Sequence, residues 1–113
     1  MLEVTKDNID KALADSKDRT VVLFYADWCP FCRKFKPQFE AYEGKAGVAL
    51  AEAKINEEEN PLWDRYKIDV IPTIVAFRYG KEIARRNGKA GIGLFDDDVK
   101  ALIKQVSASP QPK

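Results

Sequence analysis

The run Thr20–Tyr25 (TVVLFY) is unbroken in β-branched, aliphatic and aromatic residues, with no polar alternation that would leave one face to solvent. A strand of this kind is stable only when both of its faces are covered. Whatever else the chain contains must therefore supply two covering layers, and the flanking patterns supply helices. Asp7 offers an N-cap for a helix through about Ser16, with Ile9, Ala12 and Leu13 on one face. A second helix is predicted from Pro30 to Glu43, with Phe35, Phe39 and Tyr42 at helical spacing and Pro37 inside it as a kink. Asn60 and Pro61 form an N-cap and N1 pair opening a short helix to Tyr66. Asp96, Asp97 and Asp98 favour the positive end of a last helix, whose Val99, Leu102, Ile103 and Val106 fall on one face.

Further strands are predicted at Leu2–Thr5, Val48–Ile55, Thr73–Arg78 and Glu82–Arg86, the last two joined by the hairpin signal Tyr79-Gly80-Lys81. The order βαβαβαββα implies an α/β domain with a central mixed sheet and helices on both faces. The final stretch, SASPQPK, is small, polar and proline-containing, so the domain is expected over residues 1–107 with a flexible tail at 108–113. With 45% hydrophobic residues the chain can build one sizeable core without staples. Its 19 basic and 18 acidic residues nearly cancel, which argues against nucleic-acid or membrane partners recruited by long-range charge. The start, MLEVTKDNID, lacks the basic and apolar regions of a secretory signal, and no apolar run approaches the roughly 18–20 residues that span a bilayer. A cytoplasmic location is therefore expected, and there a structural disulfide would be unusual.

Both cysteines lie in one stretch directly after the central strand, Trp28-Cys29-Pro30-Phe31-Cys32. A staple between cysteines three apart removes little unfolded-state entropy. A zinc site needs about four ligands, and this chain has two cysteines and no histidine, so a metal or iron–sulfur reading requires two chains. The third reading is a redox switch. A strand enters the stretch and a helix leaves it, placing Cys29 at the helix N-terminus with Pro30 at its first position. Unpaired amides and the helix dipole stabilise an anion there, supplying thiolate near neutral pH. Arg33, Lys34 and Lys36 add screened positive charge. Cys32, one turn further in, is placed to attack a mixed disulfide formed on Cys29.

Other residues fall in order around this stretch: Trp28 before the first cysteine, Pro37 five residues after the second, then Ile71-Pro72-Thr73, Phe77, Gly80 and Gly88. Over residues 2–106 this ordered set resembles the thioredoxin family. The resemblance implies the thioredoxin fold and a cis Ile71–Pro72 bond beside Cys29 and Cys32. It also implies a substrate surface made by Trp28, Ile71, Pro72, Thr73 and Gly88, with Pro30 and Phe31 supporting the site. It implies no cofactor and no metal, the redox-active pair being the cysteines themselves. Protein disulfides are the implied substrates, recharge coming from an electron-donating reductase or a small thiol, and the chain is expected to be monomeric. Arg85, Arg86 and Lys89 read as a solvated face, with a weaker reading as a docking patch.

Two departures stand out. Thioredoxins place a buried aspartate six residues before the first cysteine, and here that position is Leu23. Their accompanying lysine is matched by Lys54, and Glu52 shares its strand face by period-2 alternation. Glu52 is therefore expected to partner Lys54 and to serve as proton relay for Cys32. The dipeptide Pro30-Phe31 is closer to the Pro-Tyr of glutaredoxins, which suggests a less reducing couple. The Gly-Gly and Asp glutathione segment of glutaredoxins, however, has no counterpart in GKEIARRNGKAG. The combined reading is a thiol–disulfide oxidoreductase that reduces protein disulfides. The alternatives are a glutaredoxin-like reductase recharged by a small thiol, an oxidase or isomerase of an oxidising compartment, and a non-catalytic binding module or dimeric metal or cluster site.

Overall fold

The structure, a computed structural model, describes residues 1–15, 19–45 and 47–108. Its elements are β1 (Leu2–Val4), α1 (Ile9–Asp15), β2 (Arg19–Tyr25), α2 (Pro30–Glu40), β3 (Ala49–Lys54), α3 (Leu62–Arg65), β4 (Thr73–Arg78), β5 (Lys81–Asn87) and α4 (Asp96–Ala108). Their order is the predicted βαβαβαββα. They form one mixed sheet of order β1-β3-β2-β4-β5. β1, β3 and β2 run parallel, while β4 and β5 are antiparallel additions.

β2 lies at the centre with every residue buried, as its composition requires. Its alternation divides the interior in two. Val21, Leu23 and Tyr25 face Phe35 and Phe39 of α2 and Val99, Leu102 and Val106 of α4. Val22 and Phe24 face Ile9 and Leu13 of α1 and Leu62 of α3. Each layer is thus a helix pair seated on one side of the sheet, and β2 is the wall they share.

Local chemistry adjusts several predicted boundaries. α1 starts at Ile9, and Asp7 does not cap it. The Thr5 hydroxyl accepts the Asp7 amide at 3.2 Å while the Asn8 side chain accepts the Thr5 amide at 2.7 Å, a reciprocal exchange that resembles a capping box. The predicted end at Ser16 lies outside the described residues. α2 stops at Glu40 rather than Glu43, because the chain then tightens into i→i+3 bonds from Tyr42 to Phe39 and Glu43 to Glu40. Tyr79 and Gly80 both adopt positive φ, 50° and 84°, and close β4–β5 as a two-residue loop of the I′ kind. α4 extends through Ala108, so the predicted tail loses its first residue to the helix; residues 109–113 lie outside the described residues.

Candidate redox site

β2 delivers the chain into a turn at Asp27 and Trp28, and Cys29 then takes the N-cap position of α2 with extended backbone (φ −92°, ψ 113°) and Pro30 next. Its carbonyl accepts the Arg33 amide at 3.1 Å, the first helical bond. The Cys29 sulfur accepts the Cys32 amide at 3.3 Å, so a thiol does what serine or aspartate does at an ordinary cap. Both cysteines are free thiols. Cys29 keeps 5% of its surface exposed and Cys32 none. Burial, reinforced by a hydrogen bond to Cys29, holds the Cys32 thiol well above its ordinary value. Both sulfurs are buried, but only Cys29 keeps a small opening to solvent, with an amide directed at it, while Cys32 is fully enclosed and kept protonated behind it.

The Cys29 sulfur lies 3.7 Å from the Ile71 carbonyl oxygen, to which its thiol donates. Ile71–Pro72 is cis, as the resemblance implies. Ile71 is half-buried and Pro72 buried. The Thr73 side chain is fully buried and its hydroxyl donates to the Val70 carbonyl at 2.6 Å, so it shapes the bend into β4 instead of presenting a side chain outward. Gly88 sits behind Pro72, its amide donating to the Pro72 carbonyl at 2.9 Å. A Cβ at 88 would stand 2.3 Å from that oxygen.

Lys54 and Glu52 do not pair. Lys54, at the end of β3, reaches past the sheet to Asp27 at 3.2 Å, and Asp27 also accepts from Asn56 at 3.1 Å. Glu52 is turned inward, 2% exposed, in register with Leu23 of β2. The carboxylate missing from position 23 thus has a counterpart on the adjacent strand. Its neighbours come from α2: Lys36 Nζ lies 3.6 Å from Glu52 Oε1 and 2.7 Å from Glu40 Oε2, and 5.5 Å over the Tyr25 ring. Burial, then the neighbouring Glu40 carboxylate, push the Glu52 carboxyl up to about 7, against the opposing pull of Lys36. Glu40 is held below the usual carboxylate range by Glu52 and Lys36. Glu52 Oε2 is buried without a hydrogen-bond partner, which further disfavours the charged carboxylate there.

This fixes a stability slope. Between the unfolded carboxyl value of 4.5 and about 7, the folded chain keeps a proton that the unfolded chain releases. The stabilisation from this group is therefore complete below 4.5 and declines as pH rises through that window. Glu52→Gln removes the titrating charge while keeping the shape of the side chain. We expect it to match wild type near pH 5 and to exceed it at pH 8, by on the order of 2 kcal/mol, in urea unfolding at the two pH values. An equal offset at both would show that Glu52 does not titrate in this range.

Asp27 and the loop residues after Lys89 were not singled out in the sequence. Asp27 accepts at its carboxylate from Lys54 and Asn56, and its backbone oxygen accepts from Arg33 at 2.9 Å. The 88–95 loop passes beside Phe31, where a Cβ on Gly93 would meet the Phe31 Cβ at 3.0 Å. Trp28, Phe31, Ile92 and Phe95 are all exposed. The pattern Gly91-Ile92-Gly93 was the available signal for that loop. Conversely, Arg85 is engaged by Glu82 and the Tyr66 carbonyl, and Arg86 by Asp98, so their guanidinium groups serve the fold. Among the described residues no cluster of three or more metal-ligating side chains is present, and no helix is long and apolar enough to cross a membrane.

Comparison with known proteins places this geometry. The family model for thioredoxin matches residues 1–101. Human protein disulfide-isomerase A6 is 35% identical over 89 residues, covering 72% of this chain and 20% of that protein. A thioredoxin-like protein of Fusarium culmorum is 37% identical over 91 residues, covering 78% of this chain and 74% of that one. The chain spans about one fifth of the disulfide-isomerase relatives' length. Among solved structures, thioredoxin f2 of Chlamydomonas reinhardtii superposes with a TM-score of 0.82 at 26% identity, covering 97% of this chain and 99% of the other.

Proposed function

Since the chain belongs to the thioredoxin family, we propose that it reduces protein disulfides by dithiol exchange, with Cys29 as nucleophile and Cys32 as resolving thiol. The observation that carries the reading is the asymmetry of the pair: a capping sulfur that keeps a small opening to solvent beside the cis Ile71–Pro72 segment, and a fully enclosed, protonated one behind it. The Cys29 thiolate attacks one sulfur of the substrate disulfide. A new S–S bond forms, the substrate bond breaks, and the departing thiolate takes a proton from solvent. Cys32 then loses its proton and attacks Cys29, closing the Cys29–Cys32 disulfide and releasing the second substrate thiolate. Two electrons pass from the dithiol to the substrate, and an external dithiol reductase or small thiol returns them. No cofactor is needed, because the carrier is the cysteine pair.

The costly step is removal of the Cys32 proton. Glu52 is the proposed acceptor: it lies on the same side of the sheet as Cys32, and a carboxyl near 7 is matched to proton transfer at neutral pH. Lys54 is proposed to act only through Asp27, by steadying the turn that precedes Cys29. Trp28, Ile71 and Pro72 form the proposed substrate surface, with Gly88 supporting Pro72 from behind. The reducing direction goes with a cytoplasmic setting and a monomer. In an oxidising compartment the same pair would donate its disulfide instead.

The test is insulin reduction driven by dithiothreitol. The protein is expected to bring forward the onset of precipitation relative to dithiothreitol alone, and no acceleration would overturn the reading. Equilibration of the same sample with glutathione is expected to give a potential above the thioredoxin value of about −270 mV.

A further inference from the structure

A cleft of about 550 Å³ opens beside the thiols, lined by Trp28, Asn56, Glu58 and Trp63. We propose that it is a side-chain subsite that takes an arginine or lysine of the substrate polypeptide near its cystine. The proposal rests on the reductase reading above and adds a preference to it.

The two indole rings are fixed by one loop. Trp28 Nε1 donates to the Asn56 carbonyl at 2.9 Å, and Trp63 Nε1 donates to the next carbonyl, that of Glu57, at 3.0 Å. Both ring nitrogens are thereby spent, and what the cleft offers an incomer is aromatic surface. The loop is itself tied to the approach to Cys29, since Asn56 Oδ1 accepts the Asp27 amide at 2.8 Å and Asn56 Nδ2 donates to the Asp27 carboxylate. The walls are therefore held before any ligand arrives, which spares the ordering cost of forming them on binding.

The chemistry of the lining selects the occupant. Glu58, the carboxylate that lines the cleft, is exposed and has no ion pair among the described residues. No lysine or arginine lines the cleft among the described residues, and Lys54, which lines a separate cleft, is committed to Asp27. Aromatic faces attract a cation through the ring quadrupole, and a long aliphatic stem covers the apolar wall while its charged end reaches Glu58. A neutral apolar side chain would desolvate Glu58 without compensation, and an acidic one would meet like charge. The cleft is also tied to the exchange site, because its wall residue Trp28 directly precedes Cys29 in the chain.

The experiment uses the full chain and a series of disulfide-bonded peptides, identical except for Arg, Leu or Glu at one of the three positions before the reactive cysteine. We expect kcat/KM to be roughly fivefold higher for Arg than for Leu at the best position, and lowest for Glu, with the difference carried by KM. Glu58→Lys should reverse the order of the Arg and Glu peptides, and Trp63→Leu should shrink the gap between Arg and Leu. Equal efficiencies across the series, a preference for Leu, or an order that neither variant alters would overturn the subsite while leaving the reductase reading intact. Failure to reduce any peptide would overturn the reductase reading itself, and the subsite with it.

Discussion

Cys29→Ser is expected to lower insulin reduction by at least about a thousandfold, to the level of dithiothreitol alone. Loss of a covalent nucleophile removes the whole reaction path, whereas other changes only raise its barrier. Cys32→Ser should fail differently. Cys29 keeps its cap position and its Ile71 neighbour, so the first attack proceeds, but no resolving sulfur remains behind it. The expected product is a stable mixed disulfide whose mass equals enzyme plus substrate, seen on a non-reducing gel and released by dithiothreitol. Adduct formation in Cys29→Ser but not in Cys32→Ser would exchange the two roles. Equal residual activity in both variants would remove the dithiol cycle altogether.

Gly88→Ala is expected to carry the largest loss of stability of any single-methyl change here. The added Cβ would stand 2.3 Å from the Pro72 oxygen and 3.5 Å from its carbonyl carbon, so no flexible side chain can yield. The two backbone segments must part, and their 2.9 Å hydrogen bond with them. A loss of about 3 kcal/mol, or a melting point lowered by roughly 10 °C, follows. Disulfide exchange should weaken as well, because the displaced segment is the one facing Cys29. Gly44→Ala separates sterics from conformation: Gly44 has φ 77° but nothing within 4 Å of an added Cβ, so it should lose only about 1 kcal/mol. If both variants melt at the same temperature, the close approach at Pro72 is not what requires glycine.

The layered fold was legible because β2 has no solvent-facing residue to spare, and because each flanking helix repeats its apolar positions at helical spacing. The cysteine site was legible for a related reason, since one short stretch contains the strand exit, the cap and both thiols. What could not be read depended on where side chains end. Period-2 alternation correctly puts Glu52 and Lys54 on one face, yet Lys54 occupies the last position of β3, with open space toward Asp27. Glu52, two residues earlier, meets α2 and is buried. The partnership of Trp28 with Trp63 is likewise tertiary, because 35 positions separate them and only the loop at Asn56 and Glu57 joins them. For Gly88 the sequence supplied a position and the structure a reason, the backbone oxygen of Pro72.

That the atom capping α2 is also the proposed nucleophile links two equilibria usually measured apart. Reduced, Cys29 offers the helix an acceptor for the Cys32 amide; once oxidised, the same sulfur is bonded to Cys32 and is a poorer acceptor. Around the cycle that connects folding with oxidation, stability given to the reduced form must reappear as a more positive potential. A cap is worth about 1 kcal/mol, which for a two-electron couple is about 20 mV. Some of the potential of this protein is therefore written in the geometry of one helix end, and substitutions that loosen that end should make the dithiol a stronger reductant without touching either sulfur.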